Sequence, residues 1–205
     1  MASEVSICNQ AISWLGAAPI ASLDDDTTEA RLCKANYAQV RDAVLEEHDW
    51  TFAIGRFDLP KNAVGPTNGY GNGFQIPSSV LRVLDVNCGE DWRVEGQDIV
   101  TNEAAVSIRA VVRVDDPNRF SSLFVQALAA RLAADLAISI TQSRELQKQH
   151  YQIYLDKLAA AVANDGMQGK SRQVTASWLR NSRAGGTALA GPTVGLPGRG
   201  GCPGG

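Results

Sequence analysis

Apolar residues recur at three- and four-residue spacing in four stretches of this chain, and at closer, alternating spacing in the stretch between the second and the third. In the first, Ile7, Ala11, Ile12, Trp14 and Leu15 share one face, which predicts a helix over residues 3–16. Gly16 can take the left-handed conformation that closes such a helix, and Pro19 lies just beyond it. In the second, Ala30, Cys33, Tyr37, Val40 and Val44 form a buried stripe, and Arg31, Lys34, Arg41 and Asp42 fall on the wet side of a helix over residues 27–49 that ends near His48 or Asp49. Asp26 and Glu29 have the spacing of a capping box, with Asp24 and Asp25 adding negative charge at the helix start. The triplet lacks the alternating Asp, Gly and distal Glu of a calcium loop.

The third helix is expected over residues 118–140, opened by Pro117, with a broad face of Phe120, Leu123, Phe124, Ala127, Leu128, Leu132, Leu136 and Ile140. Ala129, Ala130, Ala133, Ala134 and Ala137 let neighbouring helices come close, so it should be the most buried. Leu146, Tyr151, Tyr154, Leu155, Leu158 and Val162 mark the fourth, over residues 143–164, with a left-handed cap expected at residues 164–166. The two tyrosines read as core or interface residues. Strands are expected within residues 74–114: one over 75–86, a hairpin of 92–95 and 99–101 around Gly96, and one over 105–114 carrying Val106, Ile108, Ala110, Val112 and Val114. The fold class is therefore α+β, a bundle of about four helices with a small antiparallel sheet.

Two stretches resist any periodicity. Residues 61–73, KNAVGPTNGYGNG, are too rich in glycine for a regular element and predict a long exposed loop, with Asn68, Tyr70 and Asn72 as candidate contact residues. Residues 166–205 form a Gly-rich extension with few apolar side chains. The body, residues 1–165, is long enough to bury one core, which gives one domain plus a tail. Charge divides along the same line. After Asp165 there is no acidic residue, whereas Lys170, Arg172, Arg180, Arg183 and Arg199 are basic; the net charge of −3 therefore splits into −8 for the body and +5 for the tail. Ordering so many glycines needs extended contact with a partner, for which Trp178, Leu179, Leu189, Val194 and Leu196 are the candidate anchors.

Candidate chemistry is thin. His48 and His150 are the only histidines, and both read as structural. Cys8, Cys33, Cys88 and Cys202 form no CxxC pair, so neither a disulfide framework nor a zinc site is expected, and Cys8 and Cys33 read as small buried hydrophobes. Gly169-Lys170-Ser171 imitates the end of a phosphate loop, but Asn164 stands where its first glycine belongs. The Gly69–Gly73 run has Phe74 in place of the last glycine of a dinucleotide fingerprint. No catalytic residue, cofactor or metal is expected. No apolar run approaches the ~20 residues of a membrane span, and MASEVSIC lacks the basic and apolar parts of a signal peptide, so the expectation is a soluble chain made in the cytoplasm.

Residues 12–53 read ISWLGAAPIASLDDDTTEARLCKANYAQVRDAVLEEHDWTFA. This block resembles the N-terminal region of the tail tubular protein A family, the ring-forming adaptors of short-tailed bacteriophages. The family order is LG, then P-I or P-V, S-L, acidic residues, an Ala/Arg-rich helix and W-x-F. It is matched by Leu15, Gly16, Pro19, Ile20, Ser22, Leu23, Asp24, Asp25, Asp26, Ala30, Arg31, Arg41, Trp50 and Phe52. The stretch from Phe74 to Ala137 also looks like the family's middle strands and second helical pair, so the resemblance spans about residues 5–165 and fails in the tail.

The resemblance implies a structural virion protein without enzymatic activity, forming a dodecameric ring between portal protein and tail nozzle protein, through whose lumen DNA passes without sequence-specific binding. Host cytoplasm would be its place of assembly. Within that picture Arg172, Trp178, Leu179, Arg180, Arg183, Leu189, Val194, Leu196 and Arg199 are expected on the portal or on a neighbouring copy, and the loop with Asn68, Tyr70 and Asn72 on the nozzle. The rival reading is a small nucleic-acid-binding protein using its basic tail. Against it, Arg199-Gly200-Gly201 is a single RGG unit, and Trp178 is the only aromatic residue after Tyr154.

Overall fold

The computed structural model describes residues 2–67, 69–89 and 91–167. They form an α+β fold of four helices and two three-stranded antiparallel sheets. Helix α1 (Glu4–Trp14) opens on a capping box in which Ser3 and Ser6 satisfy each other's amides at 3.1 and 2.8 Å. It closes at Leu15, with Gly16 at φ +74 and the Ala17 amide turned back onto the Ile12 carbonyl at 3.3 Å. Helix α2 (Thr28–Glu46) starts one residue later than the Asp26–Glu29 spacing predicts. Thr27 is the cap, its hydroxyl accepting from the Ala30 amide at 3.2 Å, and Asp26 instead lies in solvent with Arg31 at 3.6 Å. The Asp25 carboxylate accepts from the Ala21 and Ser22 amides at 2.8 and 2.9 Å, while Asp24 takes the Lys34 ammonium at 2.7 Å.

The predicted stripe of α2 is buried from Ala30 to Val44, with one departure: Arg41, expected in solvent, is only 5% exposed. Its guanidinium reaches Asp42 at 2.9 Å and Asp115 at 2.7 Å, and Arg113 reaches the same Asp42 at 2.8 Å. These pairs fasten α2 to residues 113–115, and a buried charge so partnered is tolerated where a bare one is not.

Pro117 opens a 3-10 turn (Pro117–Arg119) instead of the third helix, and Ser121 caps helix α3 (Ser122–Thr141). Phe124, Leu128, Leu132 and Leu136 and the five alanines are fully buried or nearly so. By length and composition α3 would suit a membrane span, contrary to the reading that no stretch comes near one. In the fold it is the axis of the bundle, packed by α1, α2 and helix α4 (Arg144–Gly166). Between α3 and α4 the left-handed position is taken by Gln142 at φ 56. No left-handed cap follows α4, which runs through Gly166 and closes on Met167 at φ −77.

The single expected sheet is two. Strands β1 (Ile54–Leu59), β6 (Val106–Val112) and β3 (Val80–Asn87) lie in the order β1-β6-β3; β2 (Asn72–Gln75), β5 (Asp98–Thr101) and β4 (Trp92–Glu95) lie in the order β2-β5-β4. The expected strand over residues 75–86 is broken by a turn in which the Val80 amide returns to the Pro77 carbonyl at 2.9 Å. Strand β1 lies outside the predicted strand region altogether. One face of the first sheet, through Leu59, Val106, Ile108 and Ala110, packs on Phe74 and Ile99 of the second sheet. On its other face Ile54 and Val111 join the helical core, and the face then runs on past the helices.

Candidate functional site

The W-x-F segment closing the opening block is the joint of the helical body. Trp50 is 0% exposed, and its indole N–H donates to the Val44 carbonyl at 3.0 Å, satisfying one of the open carbonyls at the end of α2. Its ring meets Phe124 edge-on at 5.0 Å and stacks on Phe52 at 5.9 Å, and Phe52 and Phe120 complete the cluster against α3. From the far end of α4, buried Asp165 accepts from the Thr51 amide at 3.0 Å and from its hydroxyl at 2.7 Å, with His48 Nε2 at 3.8 Å. Glu47 accepts from the Tyr154 hydroxyl and pairs with Arg131 at 3.5 Å. Arg131 also lies over the rings of Tyr151 and Tyr154, 5.3 Å from each centroid. Burial, reinforced by Glu47, pushes the Tyr154 hydroxyl well above its usual range, so it stays a donor.

The motif residues therefore hold helices together. No family model and no curated protein matches this chain. What it can do must be read from its own surfaces.

Of the residues expected to make contacts, Asn68 and the tail set, Arg172, Trp178, Leu179, Arg180, Arg183, Leu189, Val194, Leu196 and Arg199, lie outside the described residues. Tyr70 is half-buried. Asn72 belongs to β2, and its side-chain amide donates to the Glu103 carbonyl at 2.8 Å and, longer, to the Asn102 carbonyl at 3.3 Å. The Gly71 amide donates to Asn102 Oδ1 at 2.9 Å and the Asn62 amide to the Gly73 carbonyl at 2.8 Å. The end of the segment, Gly71 and Asn72, is thus stitched to the turn between β5 and β6, while Lys61, Ala63, Val64, Gly65, Thr67 and Gly69 are exposed as expected of a long surface loop.

Three surface features had no place in the expectations. Tyr151 and Leu155 on α4, with Ile138 on α3, leave large apolar groups exposed. On β4, an edge strand exposed along its whole length, Trp92 and Val94 stand out. The third is a polar basin of about 360 Å³ on the first sheet, lined by Arg56, Asp58, Asp85, Asn87, Ser107 and Arg109 among others. None of these shows as a motif, because each depends on which strands or helices lie side by side.

Among the described residues no group of three or more His, Cys, Asp or Glu is placed to hold a metal ion. The thiols of Cys8 and Cys33 are both buried; the Cys33 thiol, with burial, pushes the Cys8 thiol up, and the Cys8 thiol brings Cys33 down. His150 is buried, and its Nδ1 has no hydrogen-bond partner among the described residues.

Proposed function

We propose that this chain is a structural protein of a short-tailed phage virion, an adaptor that forms a ring between portal protein and tail nozzle and lines part of the DNA ejection channel. The observation that carries the reading is the order of the opening block, from Leu15-Gly16 to Trp50-x-Phe52, in which successive motif residues have a defined architectural task. A left-handed glycine ends α1, and a buried indole ends α2. The described surfaces offer contact features suited to assembly: exposed apolar side chains on α3 and α4, an open edge strand, and a mixed-charge basin. The −8 body would keep a DNA-filled lumen from holding its contents, and the +5 tail, with its apolar anchors, supplies the portal contact. Many weak equivalent contacts around a ring add up to a tight junction.

The test is assembly with purified portal protein of a short-tailed phage. Sedimentation should show a large complex with the full chain, and a chain ending at residue 170 should keep its folded body yet lose stable attachment. Attachment unchanged by the deletion would remove the tail from the portal contact. No complex from the full chain would remove the adaptor reading. The five basic tail residues leave a second reading, nucleic-acid binding through the tail; it requires retention on DNA that falls steeply with salt.

A further inference from the structure

In the β1–β6 ladder Arg56 stands directly opposite Arg109, on the face that further along buries Ile54 and Val111 against the helices. Two like charges directly opposed across a ladder destabilise it. Asp85 is the partner of Arg109 on the other side, in β3, yet neither arginine makes an ion pair among the described residues. One row further, Asp58 accepts from the Ser107 hydroxyl at 2.7 Å. The basin therefore presents two guanidinium groups, neither of them within ion-pair distance of Asp58 or Asp85, the two carboxylates that line it beside them.

Such a pair calls for an incoming anion with room for donors next to it. A nucleic-acid backbone fits poorly, since its phosphates would continue over Asp58 and Asp85. A partner with carboxylates in front and cations behind fits well. This chain carries that arrangement on a different surface: in the loop before α2, Asp24 and Asp26 are 80% and 95% exposed, backed by Lys34 at 2.7 Å and Arg31 at 3.6 Å. Two different complementary patches on one chain make a head-to-tail contact, the kind that closes into rings.

We infer that the basin around Arg56 and Arg109 receives the Asp24–Asp26 loop of a second copy of this chain. The inference rests on the ring reading and assigns its subunit contact. Both guanidinium groups would take carboxylate oxygens, relieving their mutual repulsion only in the assembled state.

The test is charge reversal in the full chain, with ring formation measured by mass photometry with and without portal protein, and folding followed by circular dichroism. R56E/R109E and D24K/D26K should each lower the assembled fraction at least tenfold while staying folded, and R56Q/R109Q guards against misfolding from reversal. The quadruple variant R56E/R109E/D24K/D26K should recover assembly, because both signs are exchanged. Assembly of the first double variant at the wild-type level, or a folded quadruple variant that stays dissociated, overturns the assignment and leaves the ring reading standing. Wild-type chains that never assemble overturn both. Loss of salt-sensitive DNA retention in R56E/R109E with assembly intact would assign the pair to nucleic acid instead.

Discussion

Two buried tyrosines show how differently one side chain can be used. The Tyr37 hydroxyl is buried without a hydrogen-bond partner among the described residues, whereas that of Tyr154 is bound to Glu47. Tyr37→Phe should therefore leave stability unchanged or raise it, and Tyr154→Phe should cost about 1–2 kcal/mol, both read from urea unfolding midpoints. Burial pushes both hydroxyls above their ordinary value of 10.0, with Glu4 the next cause at Tyr37 and Glu47 at Tyr154. Between pH 10 and the raised values the unfolded chain has lost these protons and the folded chain keeps them. Stability should hold up to about pH 10 and fall above it, and the double Phe variant should flatten that fall. The stripe that buries Tyr37 was legible, since Ala30, Cys33, Tyr37, Val40 and Val44 keep helical spacing. The burial of Arg41 was not, because its partner Asp115 is supplied by a distant segment.

Among the elements, helices were legible to within a few residues and strands much less so. Helical spacing is local, and the differences lie at caps: Thr27 takes the cap in place of Asp26, and Ser121 displaces Pro117 because a 3-10 turn intervenes. Strand β1 alternates polar and apolar only over Arg56, Phe57, Asp58 and Leu59, too short a run to stand out in the sequence. Gly55 is there for space. A Cβ at that position would lie 2.8 Å from the Phe57 ring and 2.9 Å from Val112, so Gly55→Ala should destabilise by about 1–3 kcal/mol in thermal or chemical unfolding. The opposite outcome is expected at Gln142, a non-glycine residue in the left-handed region after α3. Gln142→Gly should stabilise by roughly 1 kcal/mol, measured the same way.

At the scale of the whole molecule the α+β class was readable from periodicity. The basin was not, since Arg56, Asp85 and Arg109 come together only through pairing of β1, β6 and β3. Deleting residues 171–205 should leave the unfolding free energy of the body, from urea denaturation, within about 0.5 kcal/mol of the full chain, because both apolar clusters among the described residues lie before residue 167. Helix α3, the axis on which the other three helices pack, is encoded well past the middle of the body. During synthesis the hairpin of α1 and α2 therefore leaves the ribosome with its apolar stripes uncovered, and β1 waits for β6 across some fifty residues. Residues 12–53 are thus made before the helix and strand that cover them, a window in which a chaperone or an early neighbour would find them open.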